Sequence, residues 1–144
     1  MRAAKMHKFD VFINFNGNCR EAVEFYAKVF KKEPGQIMTY GDAPYEGGNP
    51  ADKDRILYAD LPIYGSNMML SDSPSQMEFV RGNSIGMSIG DTDADELRRL
   101  FDELSVGGEV QMPPQKTFWS ELYSMVTDKY GILWHLSLIS EDVK

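Results

Sequence analysis

The sequence predicts an α+β fold in which a β-α-β-β-β module occurs twice. Three observations predict it. Moved by 74 positions, the first half lies over the second, so that Val11, Ile13 and Phe15 fall on Ile85, Met87 and Ile89. The same shift carries one apolar helical stripe onto another: Val23, Tyr26, Ala27 and Phe30 fall on Leu97, Leu100, Phe101 and Leu104. Later in each half a glycine turn recurs at a shift of 66, with Gly65, Met69 and Leu70 falling on Gly131, His135 and Leu136.

Each element follows from local chemistry. Alternating apolar residues give the first strand of each module one core face. A turn follows, Asn16-Gly17-Asn18 in the first copy and Gly90-Asp91-Thr92 in the second. The i, i+3, i+4, i+7 stripe then defines a helix with one buried side. Asn18 with Glu21, and Asp93 with Glu96, have the spacing of capping boxes, a side-chain acceptor followed three residues on by a carboxylate. Pro34-Gly35 and Gly107-Gly108 are expected to stop the two helices. Short strands follow at Gln36 to Tyr40 and Glu109 to Met112. "ILYADLPIYGSNMMLSD" and "ELYSMVTDKYGILWHLSL" each read as two strands about a glycine turn. The shift shrinks because the first copy carries "GDAPYEGGNPADKD", a Gly-, Pro- and Asp-rich segment that reads as a mobile loop.

The 144 residues suit one domain, with module one at about 9–72 and module two at about 83–139. A net charge of −7 and a pI near 4.8 work against nucleic-acid and membrane-surface partners, whose phosphates repel an acidic protein. No apolar run approaches the roughly 18 residues of a membrane span. The N-terminal "MRAAKMHKFD" is basic without an apolar segment behind it, unlike a secretory signal. Cys19 is the single cysteine, which excludes an internal disulfide and a cysteine-rich zinc site. A cytoplasmic protein is the expectation. Cys19 is expected to be a buried, inert thiol, since Glu21 and Glu24 oppose the helix N-terminus that would otherwise activate it.

"FNGNCREAVEFYAKVF", "GDTDADELRRLFDELSVGGEVQMPPQKTFW" and "TDKYGILWHLSL" resemble the PhnB-like branch of the vicinal oxygen chelate superfamily. That superfamily includes glyoxalase I, bleomycin- and fosfomycin-resistance proteins and extradiol dioxygenases. The likeness runs from about Phe9 to Leu138. It is most specific at Asn16-Gly17, Phe118-Trp119 and the Asp128, Gly131, Trp134 framework. Lys129 stands where the branch usually has proline. The resemblance implies two curved, mixed four-stranded sheets around a cavity, completed in a homodimer. The branch also carries the label of a demethylubiquinone methyltransferase. The sequence has no glycine-rich strand-to-helix turn of the kind that seats S-adenosylmethionine.

The resemblance places ligand-binding positions on the strand faces turned away from the helices. If Val11, Ile13 and Phe15 pack on the helix, then Asp10, Phe12 and Asn14 face the cavity, with Ser84, Gly86 and Ser88 their equivalents in module two. The last strands add Met69 and His135. Metal-dependent relatives hold one divalent ion with His, Glu or Gln at such positions. Here His135 matches one ligand position, Asp10 is a doubtful second, and Met69 and Ser84 are poor donors for a hard ion. No metal or other cofactor is expected, and any metal that did bind would use His135 and Asp10. His135 reads either as a hydrogen-bonded cavity histidine or as a group that contacts substrate or shuttles protons. Trp119 reads either as an aromatic wall at the cavity mouth or as a packing residue. The candidate ligand-binding set is Phe12, Asn14, Met69, Ser84, Trp119 and His135. The function expected is binding of a small organic molecule. A metal-dependent lyase or dioxygenase and a drug-sequestering resistance protein are the alternatives.

Overall fold

The computed structural model describes residues 5–43 and 48–141 and divides into two compact units, residues 1–79 and 80–144. The first contains β1 (Val11–Phe15), α1 (Cys19–Phe30), β2 (Ile37–Thr39), β3 (Ile56–Ile63) and β4 (Ser66–Asp72). The second contains β5 (Gly86–Asp91), α2 (Ala94–Leu104), β6 (Glu109–Gln115), β7 (Tyr123–Thr127) and β8 (Leu133–Leu138). The sheets have matching order, β1-β4-β3-β2 and β5-β8-β7-β6. In each, the first strand pairs parallel with the last and the other neighbours are antiparallel. The α-helix supplies the crossover that a parallel pair requires.

Each helix lays its predicted stripe on its own sheet, except that in the first helix Ala27 is half-buried and Val29 is buried in addition. In the first unit Val23, Tyr26, Val29 and Phe30 are buried, as are Ile13, Phe15, Leu61, Met68 and Leu70 of the sheet. In the second, Leu97, Leu100, Phe101 and Leu104 are buried, as are Ile89, Val126, Trp134 and Leu136. Burial of this apolar surface is the main stabilising term of each unit.

Several local expectations are corrected. Asn18 does not cap α1 with its side chain. Its Oδ1 accepts from Asn16 N at 3.3 Å, while Asp72, at the end of β4, takes the cap role. Asp72 Oδ1 accepts from Gly17 N at 2.8 Å and from Cys19 N at 3.0 Å. A carboxylate already fixed in the sheet outcompetes a neutral amide for those donors. Asp93 does cap α2, accepting from Asp95 N and Glu96 N. The first helix ends before Pro34-Gly35, because Lys31 turns left-handed at φ 54° and Lys32 N donates to Ala27 O at 3.0 Å. Strand β6 continues through Pro113 and Pro114 to Gln115. It is an edge strand, where a missing N–H is tolerated. The segment at 41–54 is partly anchored. Gly41 N donates to Lys53 O at 2.8 Å, and a 3₁₀ turn at Pro50–Asp52 buries Asp52. Residues 44–47 of that loop lie outside the described residues.

The two modules differ in register. Phe12 faces Met69 across the β1–β4 pair. A strict repeat would set Gly86 against His135, but Gly86 faces Leu133 and Ser88 faces His135. The slip is two residues, which preserves the faces and changes the neighbours.

Candidate functional site

The face of the second sheet turned away from α2 carries the densest functional chemistry. Trp134 and Leu136 are buried on the helix side, so alternation sets Leu133, His135 and Ser137 on the other. Cross-strand partners continue that face. Tyr123 lies opposite Ser137, Met125 opposite His135, and Met112 opposite Met125. Ser88 is the neighbour of His135 on β5. His135, Tyr123 and Met125 are half-buried.

His135 is held on two sides. Its Nδ1 is hydrogen-bonded to the Tyr123 hydroxyl. Its ring lies against Gly86, where an added Cβ would come within 3.0 Å of both Cδ2 and Nε2. A methyl group there would require the imidazole to give way by a few tenths of an ångström. Burial pushes the Tyr123 phenol above its usual pKa, so it stays protonated at neutral pH.

Trp119 extends the array. Its ring meets Tyr123 edge-on, with centroids 5.2 Å apart, and Phe118 meets Trp119 edge-on at 4.7 Å. The loop that presents them is pinned from below. Ser120 is buried and its hydroxyl donates to Leu122 O or to Leu138 O, which lie at 2.9 and 2.8 Å. Thr117 N donates to Ser120 O at 2.9 Å. Trp119 remains 54% exposed and Phe118 97% exposed. A groove of about 480 Å³ runs beside them, bounded by Lys116, Glu121, Leu138 and Ile139.

The other candidates are placed as follows. Phe12 and Met69 are cross-strand partners on the face of the first sheet turned away from α1, and Asn14 lies opposite Ser71. Phe12 is 51% exposed. On the same face Tyr58 donates to Asp60 Oδ2 at 3.1 Å. Ser84 is misplaced by the repeat. It lies before β5 and is exposed. Its would-be partner two residues before Leu133 is Gly131, turned to φ 82° and unable to continue a ladder there. Asp10 also precedes its strand. Its carboxylate accepts from Asn67 N at 2.9 Å and pairs with Lys8 at 3.0 Å. Those two bonds, the backbone one first, hold its pKa below the carboxylate norm.

This donor set does not fit a divalent ion. The side chains flanking His135 on its face are Ser88, Met125, Leu133, Ser137 and the protonated phenol of Tyr123, itself bonded to Nδ1, none a strong ligand for a hard cation. Asp10 is committed to Asn67 and Lys8. Among the described residues no group of three or more His, Cys, Asp or Glu side chains converges to hold a metal.

Sequence reasoning missed Tyr123, and it set Gly86 on the cavity-facing side of its strand without the role it has against His135. A signal for Tyr123 exists: "LYAD" and "LYSM" align Tyr58 with Tyr123 at a shift of 65, and both stand on β strands facing away from their helices. Gly86 had no signal, since its role depends on which residue of β8 lies beside it.

Comparison with known proteins agrees with the architecture. A family model described as 3-demethylubiquinone-9 3-methyltransferase matches residues 7–137. Protein YjdN of Escherichia coli K12 is 27% identical over 140 residues, covering 90% of this chain and 94% of that protein. The crystal structure of protein PA1353 from Pseudomonas aeruginosa aligns with a TM-score of 0.84 at 32% identity, covering 92% of this chain and 98% of the other. The PhnB protein of Bacillus cereus aligns at 0.77 with 25% identity, over 92% and 100%. A glyoxalase/bleomycin resistance protein/dioxygenase from Nocardioides, 17% identical, shares the fold with a TM-score of 0.61, over 99% of this chain and 89% of that one.

Proposed function

Because this chain belongs to the family described as 3-demethylubiquinone-9 3-methyltransferase, the PhnB-like branch of the vicinal oxygen chelate superfamily, we propose that it binds a small organic molecule through the Trp119–Tyr123–His135 face and does so without a divalent metal. The observation that carries this reading is the joined array itself. An exposed indole meets a phenol edge-on, and that phenol is hydrogen-bonded to an imidazole flanked on its sheet face by Ser88, Met125, Leu133 and Ser137. Phe12, Asn14 and Met69 form a second apolar and polar surface on the first sheet that the same kind of ligand would use. Transfer of a methyl group is not part of the proposal. Each sheet is a four-stranded, mixed β-α-β-β-β unit, not the doubly wound parallel sheet whose glycine-rich strand-to-helix turn seats such a cofactor.

Native mass spectrometry of the purified protein, with elemental analysis, tests the reading. The expected result is a retained organic adduct that His135→Ala or Trp119→Ala weakens, with no stoichiometric metal. Stoichiometric zinc, nickel, iron or manganese lost in the His135 variant would replace it with a metalloenzyme.

The same measurement bears on assembly. We propose that the working form is a cytoplasmic homodimer. Strands β2 and β6 are sheet edges with Ile37 41% and Val110 47% exposed, and open edges with apolar side chains call for cover. A particle of twice 16.4 kDa is expected. A single-chain mass across micromolar concentrations would end the dimer proposal.

A further inference from the structure

We infer that Tyr123 and Gly86 are positioning residues that hold His135 as a neutral Nε2–H donor, and that the ligand is a flat, uncharged molecule with a carbonyl-type oxygen. This deepens the binding reading above and rests on it.

The tautomer follows from the partners. A neutral imidazole has one N–H and one bare nitrogen. A phenol is a strong donor and a weak acceptor, whereas a bare imidazole nitrogen is a strong acceptor. The Tyr123–Nδ1 bond is therefore best made with the hydroxyl donating, which leaves the proton of the ring on Nε2. Burial favours the protonated phenol, so the donor is present at neutral pH. Nε2 makes no hydrogen bond to any described residue, and it lies along the edge opened by Gly86. The array thus offers a free, oriented donor.

The ligand class follows from what surrounds that donor. Ser88, Met125, Leu133 and Ser137 flank the ring on this face, and none carries a charge. Lys116 and Glu121, in the loop beside Trp119, pair with each other at 3.5 Å. An ionised ligand would leave water without a counter-charge, which is costly. A neutral carbonyl oxygen meets the Nε2–H, and the conjugated plane attached to it meets Trp119, which is 54% exposed and set edge-on to Tyr123.

The test uses the full-length protein with ¹⁵N-labelled histidine, His135→Ala separating the His135 signal from that of His7. At about pH 8, above the usual histidine range, long-range ¹H–¹⁵N spectra are expected to show His135 as the Nε2–H tautomer. Tyr123→Phe should populate both tautomers, and Gly86→Ala should shift the ring signals while the fold persists by circular dichroism. Acetophenone, its oxygen-free counterpart ethylbenzene, and benzoate are then titrated. Acetophenone should perturb Nε2 and bind about tenfold tighter than ethylbenzene, the worth of one net hydrogen bond, and that preference should shrink in Tyr123→Phe. A dominant Nδ1–H tautomer, or benzoate binding tighter than acetophenone, overturns this inference and leaves ligand binding at the face intact. If none of the three probes shifts Trp119, Tyr123 or His135 signals, the binding reading itself fails, whatever the tautomer.

Discussion

Asp128 shows how one side chain organises a turn. It is 2% exposed. Its Oδ1 accepts from Tyr130 N at 2.8 Å and Ile132 N at 3.1 Å, and its Oδ2 accepts from Trp134 Nε1 at 2.9 Å. The carboxylate thus ties the β7–β8 connection to the largest core side chain of the second unit. Asp128→Ala leaves those three donors without their acceptor and should cost about 3 kcal/mol, read as a lower urea midpoint with an unchanged slope. Asp128→Asn should cost less but still destabilise, because its NH₂ would face a donor. Cys19 lies at the other extreme of reactivity. Burial first, and then the Asp72 charge, push its thiol up to about 12. At about pH 8 almost no thiolate is present, so iodoacetamide should leave the native protein unlabelled and modify one cysteine once urea unfolds it. Rapid labelling of the native state would contradict this burial.

At the scale of elements, the two helices start by different devices. Asp93 caps α2 from within its own turn, bonding Asp95 N at 3.0 Å and Glu96 N at 3.2 Å. The first turn of α1 is held by Asp72, more than fifty residues away in sequence, which also accepts from Ile56 N at 2.9 Å. Three substitutions separate these roles. Asp93→Ala should lower stability by about 1 kcal/mol, a usual N-cap value. Asn18→Ala should change it by only a few tenths of that, as among the described residues its side chain bonds Asn16 N alone. Asp72→Ala should cost more than either, since it strips three backbone donors of their acceptor inside a buried corner. An Asn18→Ala loss equal to that of Asp72→Ala would restore the capping-box reading.

The whole molecule carries an acid-side stability signature. Among the described residues, three carboxylates titrate below the ordinary aspartate value of 3.8: Asp10 through Asn67 N and then Lys8, Asp42 through Thr39, and Asp52 through Ser75. The folded state binds protons less readily than the unfolded chain at each. Their contribution is therefore present above the unfolded value and is lost as pH falls through and below it. Urea midpoints should hold steady from neutrality to about pH 5 and decline below about pH 4. Asp52→Asn should flatten that decline. A midpoint that rose on acidification would reverse the sign and refute the account. Among the described residues, no helix is long and apolar enough to cross a membrane.

Much of this protein is legible from periodicity alone. Period-two and helical patterns report which face of an element meets the core, and so the sequence by itself determined both sheets, both helices and the outward face of His135, Phe12 and Asn14. Those properties depend on residues a few positions apart. Register and partnership depend on how strands slide past one another, which no local pattern records. Only the tertiary structure decided that Asp72 rather than Asn18 starts α1, that Ser84 falls outside its sheet, and that Ser88 rather than Gly86 stands directly opposite His135. The same register brings Tyr123 to Nδ1 and leaves Gly86 bare beneath the ring. A two-residue slip keeps every side chain on its face and exchanges all of its neighbours, so the face could be read in advance and the chemistry on it could not.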